Sequence, residues 1–196
     1  MALDHGIGVR IPASQPHDIV RLSVDRIGTP VGELMILADA EGRLRAVHWT
    51  DHEEGLRRML ARHYGERGFA LETSANPGGL TARIDAYFGG QLDAIDTLPV
   101  AMVGTPFRQS VWTALRGIPV GTTVSYSELA RRIGRPAAVR AVGLANGANP
   151  VAVVVPCHRV VGADGTLVGY GGGMSRKRWL LAHESSASQA WPIALR

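Results

Sequence analysis

The chain has 196 residues, 45% hydrophobic and 19% charged, enough for one large or two small domains with a packed core. No apolar run reaches the roughly 20 residues that span a bilayer, and the first residues lack a basic segment followed by an apolar one, so the expectation is a cytoplasmic protein with no membrane partner. The formal charge of +4 rests almost wholly on arginine, since Lys177 is the only lysine; an excess of this size suits a polyanionic partner without requiring one.

Residues 1–18 mix Gly, Pro, His and Asp without periodicity and read as a flexible leader. An N-terminal α/β domain is expected over 19–90. Ile19 to Ile27, Gly32 to Ala38 and Leu44 to Trp49 are apolar or alternating stretches parted by turn formers, which predicts a small antiparallel sheet. Glu53 to Tyr64 and Leu80 to Phe88 carry helical spacing, and both helices are expected on one face of that sheet. Residues 91–104, with Pro99 and several small side chains, read as a linker.

A second, mostly helical domain is expected over 105–185. Thr105 and Pro106 form a cap and first turn ahead of Phe107, Val111, Trp112 and Leu115. Ser125 and Glu128 fit a capping box that opens a helix through Leu129 and Ile133; Gly134 ends it, and Pro136 opens another to about Gly143. Such a pair is either a helix-turn-helix or a plain packing unit. The small residues of the second helix allow close approach to a groove as narrow as the DNA minor groove, about 6 Å, or equally to a neighbouring helix. The last helix is predicted from Ser175 to Glu184, and residues 186–196, with Trp191 and Pro192, are a tail without a readable role.

One cysteine can form neither an internal disulfide nor a paired-thiolate zinc site, so Cys157 is either core filler or chemistry. His5, His17, His48, His52 and His63 show no metal-ligand spacing, and no metal site is expected. His158, by contrast, follows Cys157 directly, and a nearby imidazolium or cationic field increases the reactive thiolate fraction of a group whose free pKa is about 8.5. Neighbours in a strand face opposite ways, so contact between the two needs a turn, a helical start or a bridging water; Pro156 allows an irregular backbone there. Glu184 is available as the carboxylate that orients the imidazole. From the residues alone, a Cys157-His158-Glu184 relay competes with an inert buried cysteine beside a core histidine.

Pro156-Cys157-His158-Arg159-Val160 resembles the active-site signature of the O6-alkylguanine-DNA alkyltransferases. The resemblance extends through Gly104-Thr105-Pro106-Phe107, Val111-Trp112, Ser125-Tyr126, Arg140-Ala141-Val142-Gly143, Asn149-Pro150, Gly169-Tyr170 and Trp179 to Glu184, which is the whole second domain. It implies a ribonuclease H-like N-terminal domain with a small antiparallel sheet, followed by a winged helix-turn-helix domain. It also implies that Cys157 accepts the alkyl group, that His158 is a water-mediated base held by Glu184, and that Asn149 is the hinge asparagine. Tyr126 would lie by the flipped nucleotide and hydrogen-bond N3 of guanine, while Arg140 would fill the vacated stack. Ser127, Ala138, Val139, Ala141 and Gly143 would face DNA. Val160, Tyr170, Gly171 and Gly172 would line the pocket, with the carbonyls of Cys157 and Val160 accepting the guanine amine.

A thioether is not readily hydrolysed, so the protein is expected to act once and to need no cofactor. Its expected partner is double-stranded DNA carrying O6-alkylguanine, with O4-alkylthymine a further candidate, and the protein itself is expected to be monomeric. The run Gly171-Gly172-Gly173 suggests tolerance of adducts larger than methyl. Two other functions fit parts of the pattern: a module that only recognises alkylated guanine, which would have no use for Cys157, and a thiol hydrolase, which would have no use for Tyr126 and Arg140.

Overall fold

The structure, a computed structural model, describes residues 19–65 and 68–185; the expected leader and tail lie outside them. Strands β1 (Val20–Thr29), β2 (Gly32–Ala38) and β3 (Leu44–Trp49) form antiparallel pairs, close to the predicted bounds. A fourth strand, β4 (Phe69–Thr73), adds to β1 in parallel, giving the order β3-β2-β1-β4. The sheet is therefore mixed rather than antiparallel. Helix α1 (Glu53–Tyr64) supplies the long connection that carries the chain back for a parallel strand, and β4 is too short and too polar at its end to announce itself by alternation.

The two helices of this region pack on opposite faces, not on one. Leu56 and Leu60 of α1 meet Leu22, Met35, Leu37 and Ala46, whereas Leu80, Ile84 and Tyr87 of α2 (Leu80–Phe88) join Leu34, Ile36, Ala38 and Val47. The unbroken run Leu34-Met35-Ile36-Leu37-Ala38 is the cause: every side chain of it is buried, which a strand achieves only when both faces are covered.

The free edge of β3 is covered by two later segments. Leu44 donates to Pro99 O at 2.8 Å and accepts from Ala101 N at 2.9 Å, so residues 99–101 lie along the strand. Leu92, Ile95 and Leu98 are buried, which ties residues 92–98 to the core. Further along, Val47 N donates to Pro150 O and Val47 O accepts from Ala152 N, both at 3.0 Å. Pairing of this kind removes an exposed strand edge and sets the 150–152 segment in register with the sheet.

Helix α3 (Pro106–Arg116) begins as expected, with the Thr105 hydroxyl accepting from Arg108 N. Its Val111, Trp112 and Leu115 are buried, and the Trp112 indole donates to Ala145 O at 2.9 Å. After β5 (Val124–Ser125), Ser125 caps α4 (Tyr126–Arg132), and Gly134, at φ +67°, turns the chain away. The next helix, α5, spans Val139–Gly147 instead of starting at Pro136 and ending at Gly143. Hydrogen bonds from Arg135 N to Ala130 O and from Ala138 N to Arg135 O take up the intervening residues, and nothing at Gly143 stops the helix. Strand β6 (Val160–Val161) pairs in parallel with β5, and α6 (Met174–Ser185) closes the described chain. One apolar core runs from Leu34 in β2 to Leu180 in α6. Among the described residues no helix is long and apolar enough to cross a membrane.

Candidate active site

The segment that carries the cysteine is held by its own hydrogen bonds. Val151, Val153, Val154 and Val155 are buried, and Val153 has φ +70°, an expensive conformation for a β-branched residue. Val155 N donates to Val151 O and Cys157 N to Val155 O, and the chain then makes one 3-10 turn over Cys157–Arg159. That turn buries three successive side chains, Cys157, His158 and Arg159, which an extended strand would have sent to alternate sides.

Asn149 spans this segment. Its side-chain oxygen accepts from Val151 N at 3.0 Å, while its amide nitrogen donates to Val155 O at 2.7 Å and approaches Cys157 Sγ at 3.2 Å. It thus serves both as an ordinary turn residue and as a direct contact of the thiol. Burial pushes the Cys157 pKa up, and this outweighs the lowering by Asn149 and by the charge of Lys177. The resting group is therefore a thiol, contrary to the expectation that neighbouring charge would favour thiolate; desolvation is the stronger effect.

Behind the thiol lies a buried polar cluster. Glu184 Oε1 faces His158 Nε2 at 2.9 Å and accepts from Tyr87 Oη at 2.7 Å and Arg159 Nη2 at 2.8 Å. Its Oε2 accepts from Arg159 Nε at 2.9 Å, and Arg159 Nη1 donates to Ile118 O at 2.6 Å. Burial opposes the charge on Glu184, but His158 and the two-point Arg159 contact hold its pKa well below the usual carboxylate range. Burial also lowers the His158 pKa, against the pull of Glu184, so the imidazole rests neutral. A neutral ring facing an ionised carboxylate carries its proton on Nε2, which leaves Nδ1 as a lone-pair acceptor. Nδ1 is buried and has no protein partner.

The structure thus brings His158 to Glu184 and Asn149 to Cys157, and the Cys157–Arg159 turn joins the two pairs. Tyr126 opens α4 half-buried; burial raises its pKa, as does Cys157, while a hydrogen bond from the Asn146 side chain pulls it down. Asn146 in turn donates to Cys157 O at 3.4 Å. On the pocket side, Val160 is buried in β6, and Tyr170 stands edge-on to His158 with ring centroids 6.4 Å apart. Lys177 Nζ donates to Val160 O at 2.6 Å and Val168 O at 2.7 Å, joining β6 to the loop that carries Tyr170, Gly171 and Gly172; desolvation lowers its pKa to about 8. The Cys157 carbonyl, one of the two expected to take the guanine amine, already accepts from Val160 N and from Asn146 Nδ2.

Arg140 and Ala141 are exposed in the first turn of α5, apart from the buried cluster, with Ala138, Val139 and Gly143 half-buried beside them. A Cβ on Gly143 would meet the Tyr126 ring at 3.8 Å, so this helix and Tyr126 are in close packing. The Ser127 hydroxyl lies 2.8 Å from that of Ser125. Leu144 is 71% exposed on the same helix, a large apolar side chain that helix bounds ending at Gly143 had left out.

Sequence reasoning missed Tyr87, Arg159, Lys177 and Asn146. Arg159 was within reach, because it shares the Cys157 turn; Tyr87 sits in another module and carries no local signal. Among the described residues no group of three or more His, Cys, Asp or Glu side chains could hold a metal.

Residues 106–186 match the family model described as 6-O-methylguanine DNA methyltransferase, DNA binding domain. The methylated-DNA--protein-cysteine methyltransferase of Shigella flexneri is 49% identical over 166 residues, covering 85% of this chain and 97% of the relative. The crystal structure of Mycobacterium tuberculosis OGT in complex with DNA superposes with a TM-score of 0.67 at 39% identity, covering 85% of this chain and 94% of that one. An O6-methylguanine-DNA methyltransferase from Pyrococcus kodakaraensis gives a TM-score of 0.58 at 25% identity, over 83% of this chain and 98% of the other.

Proposed function

The chain belongs to the methylated-DNA--protein-cysteine methyltransferases, DNA-binding enzymes of DNA repair by alkyl transfer, and from that premise we propose that Cys157 takes the alkyl group from O6 of guanine once and irreversibly. The observation that carries this reading is the buried, unpartnered Nδ1 of His158, whose lone pair is turned away from Glu184 by the Nε2 contact and whose basicity Glu184 supports against burial, next to a thiol that burial keeps protonated. A thiol in that state needs a base at the moment of attack. A water on Nδ1 would pass the Sγ proton to His158, and the imidazolium would be stabilised by Glu184.

Sγ then attacks the alkyl carbon; the S–C bond forms as the C–O6 bond breaks, and the released electron pair enters the purine ring. Tyr126, held as a phenol by burial, donates its proton toward N3 as that charge arrives, and recovers one from solvent or His158. The product is guanine and a thioether on Cys157. Because neither water nor His158 can expel a thioether sulfur, the protein is spent after one transfer, with no cofactor taking part.

Inside a duplex O6 cannot be reached, so the nucleotide must rotate out, at a cost of a few kcal/mol. In this reading α4 and α5 are the helix-turn-helix of a winged domain, the first module is ribonuclease H-like, and α5 enters the minor groove with Ser127, Ala138, Val139, Ala141 and Gly143 against the backbone. Arg140 fills the gap and pairs with the orphaned cytosine, which offsets part of the cost. O4-alkylthymine, smaller in outline, is a second substrate.

Intact mass after incubation with excess duplex containing one O6-methylguanine, followed by peptide mapping, is the deciding experiment. One methyl mass on Cys157 per guanine restored is the expected result. Tight binding with unchanged mass would replace this reading by recognition alone, and continued turnover would replace it by a hydrolytic one.

A further inference from the structure

The glycine loop at the pocket wall is fastened to the first module by one side chain. Arg176, at the start of α6, donates from Nη1 to Gly172 O at 2.9 Å and from Nε to Val31 O at 2.9 Å, and pairs with Asp51 at 2.8 and 3.1 Å. Its guanidinium also lies over the Trp49 ring, 4.4 Å from the centroid. A planar cation with five donors can stack and fork at once, which lysine cannot.

The fit leaves no slack. A Cβ on Gly172 would come within 2.3 Å of Trp49 Nε1 and 2.8 Å of the Tyr170 ring, and one on Gly32 within 2.8 Å of Arg176 Nη2. Gly172 is buried, and the Trp49 indole nitrogen and the Tyr170 hydroxyl are enclosed with it. Trp49 ends β3, the same strand whose Val47 sets the register of the 150–152 segment leading to Cys157. One strand therefore holds the approach to the thiol and the opposite wall.

We infer that the first module determines the width of the substrate pocket, with Arg176 as a positioning residue: clamped between Trp49, Asp51 and Gly172 O, it stops Gly171–Gly173 from retreating and so limits how large an O6 adduct reaches Cys157. This rests on Cys157 being the acceptor. The clasp acts on the wall alone, so its loss favours bulky adducts over methyl and leaves the buried cluster behind Cys157 intact.

The test uses the full chain, with single-turnover transfer rates for duplexes carrying O6-methylguanine or O6-benzylguanine, and hydrogen exchange of the 168–174 amides. In Arg176→Ala the benzyl-to-methyl rate ratio should rise about tenfold, the scale on which a hydrophobic pocket discriminates by size, and the loop amides should exchange faster. Asp51→Asn removes only the more exposed half of the pair and should shift the ratio the same way by less, which keeps the inference testable should Arg176→Ala unfold. An unchanged ratio in a folded variant, or both rates falling in parallel, overturns it. If the parent protein leaves Cys157 unalkylated, the acceptor reading is what fails, and the exchange measurement still decides whether the clasp holds the wall: unaltered protection would end that too.

Discussion

Two regions of the molecule handle charge in opposite ways. In the cluster of Tyr87, His158, Arg159 and Glu184 every group is at most 3% exposed, and the carboxylate meets four donor atoms. On the α4–α5 face, Arg140 stands in solvent, one helical turn before the exposed Leu144. The first arrangement has met its desolvation cost during folding; the second, in the proposed reading, acquires its partners from DNA. Substitutions in the cluster should therefore register first in stability, and those on the face in function on a duplex.

The largest effect expected is from Cys157→Ser, which should abolish alkyl transfer, read as absence of added mass, while binding of modified duplex persists. Next comes Glu184→Gln. It leaves Arg159 buried against a neutral amide, and losing one partner of a buried pair typically costs about 3–5 kcal/mol, measurable by urea unfolding. Recovery of parent stability in the double variant Glu184→Gln, Arg159→Met would locate that cost in the unpaired cation.

The pH dependence follows from the same cluster. Glu184 has a folded pKa below its ordinary 4.5, so its stabilisation is present above that value and is lost as pH falls below it. His158 is also lowered, from 6.5, so its stabilisation as a neutral base is present above 6.5 and lost below. Unfolding midpoints should accordingly fall on acidification below pH 6.5 and more steeply below 4.5. In the proposed mechanism transfer needs neutral His158, so its rate should be level at pH 6.5 and decline only beneath it; a decline starting above 6.5 would contradict the lowered pKa.

Arg140→Ala sharpens the contrast from the other side. Stability should stay within about 0.5 kcal/mol of the parent, as for exposed residues generally. Transfer from duplex should slow about tenfold, corresponding to about 1.4 kcal/mol of extrusion cost no longer offset, while transfer from a single strand changes little. Equal slowing on both substrates would remove Arg140 from the flipping step. The smallest effect is on salt dependence: with Arg140 assigned to the stack and not to a phosphate, the slope of log binding constant against log salt should change by less than the value of about 1 that a lost phosphate contact gives.

Much of this was legible in the chain. The bounds of α1 and α2 follow from apolar spacing, and Thr105 and Ser125 name their helices through side-chain oxygens that can reach the third amide. Cys157, His158 and Glu184 were candidates on the chemistry of a thiol, an imidazole and a carboxylate, but that chemistry left an inert buried cysteine open as well; the choice of the relay, and Asn149 altogether, came from the family resemblance. The extent of α5 was not, because Pro136 is a permissible helix start and the actual start depends on how Gly134 turns the chain. Nor was β4, whose place beside β1 is paid for by burial contributed from α1.

The sequence by itself determined most of the local elements and the candidate residues around Cys157, since these depend on backbone propensity, periodicity, functional-group chemistry and a family motif within a short stretch. Only the tertiary structure decided which face each helix covers, that Tyr87 and Arg159 share Glu184 with His158, that burial keeps Cys157 a thiol, and that Trp49 and Arg176 brace the glycine wall. Those outcomes depend on desolvation and on contacts between residues as far apart as Tyr87 and Glu184, and neither quantity exists until the chain has closed on itself.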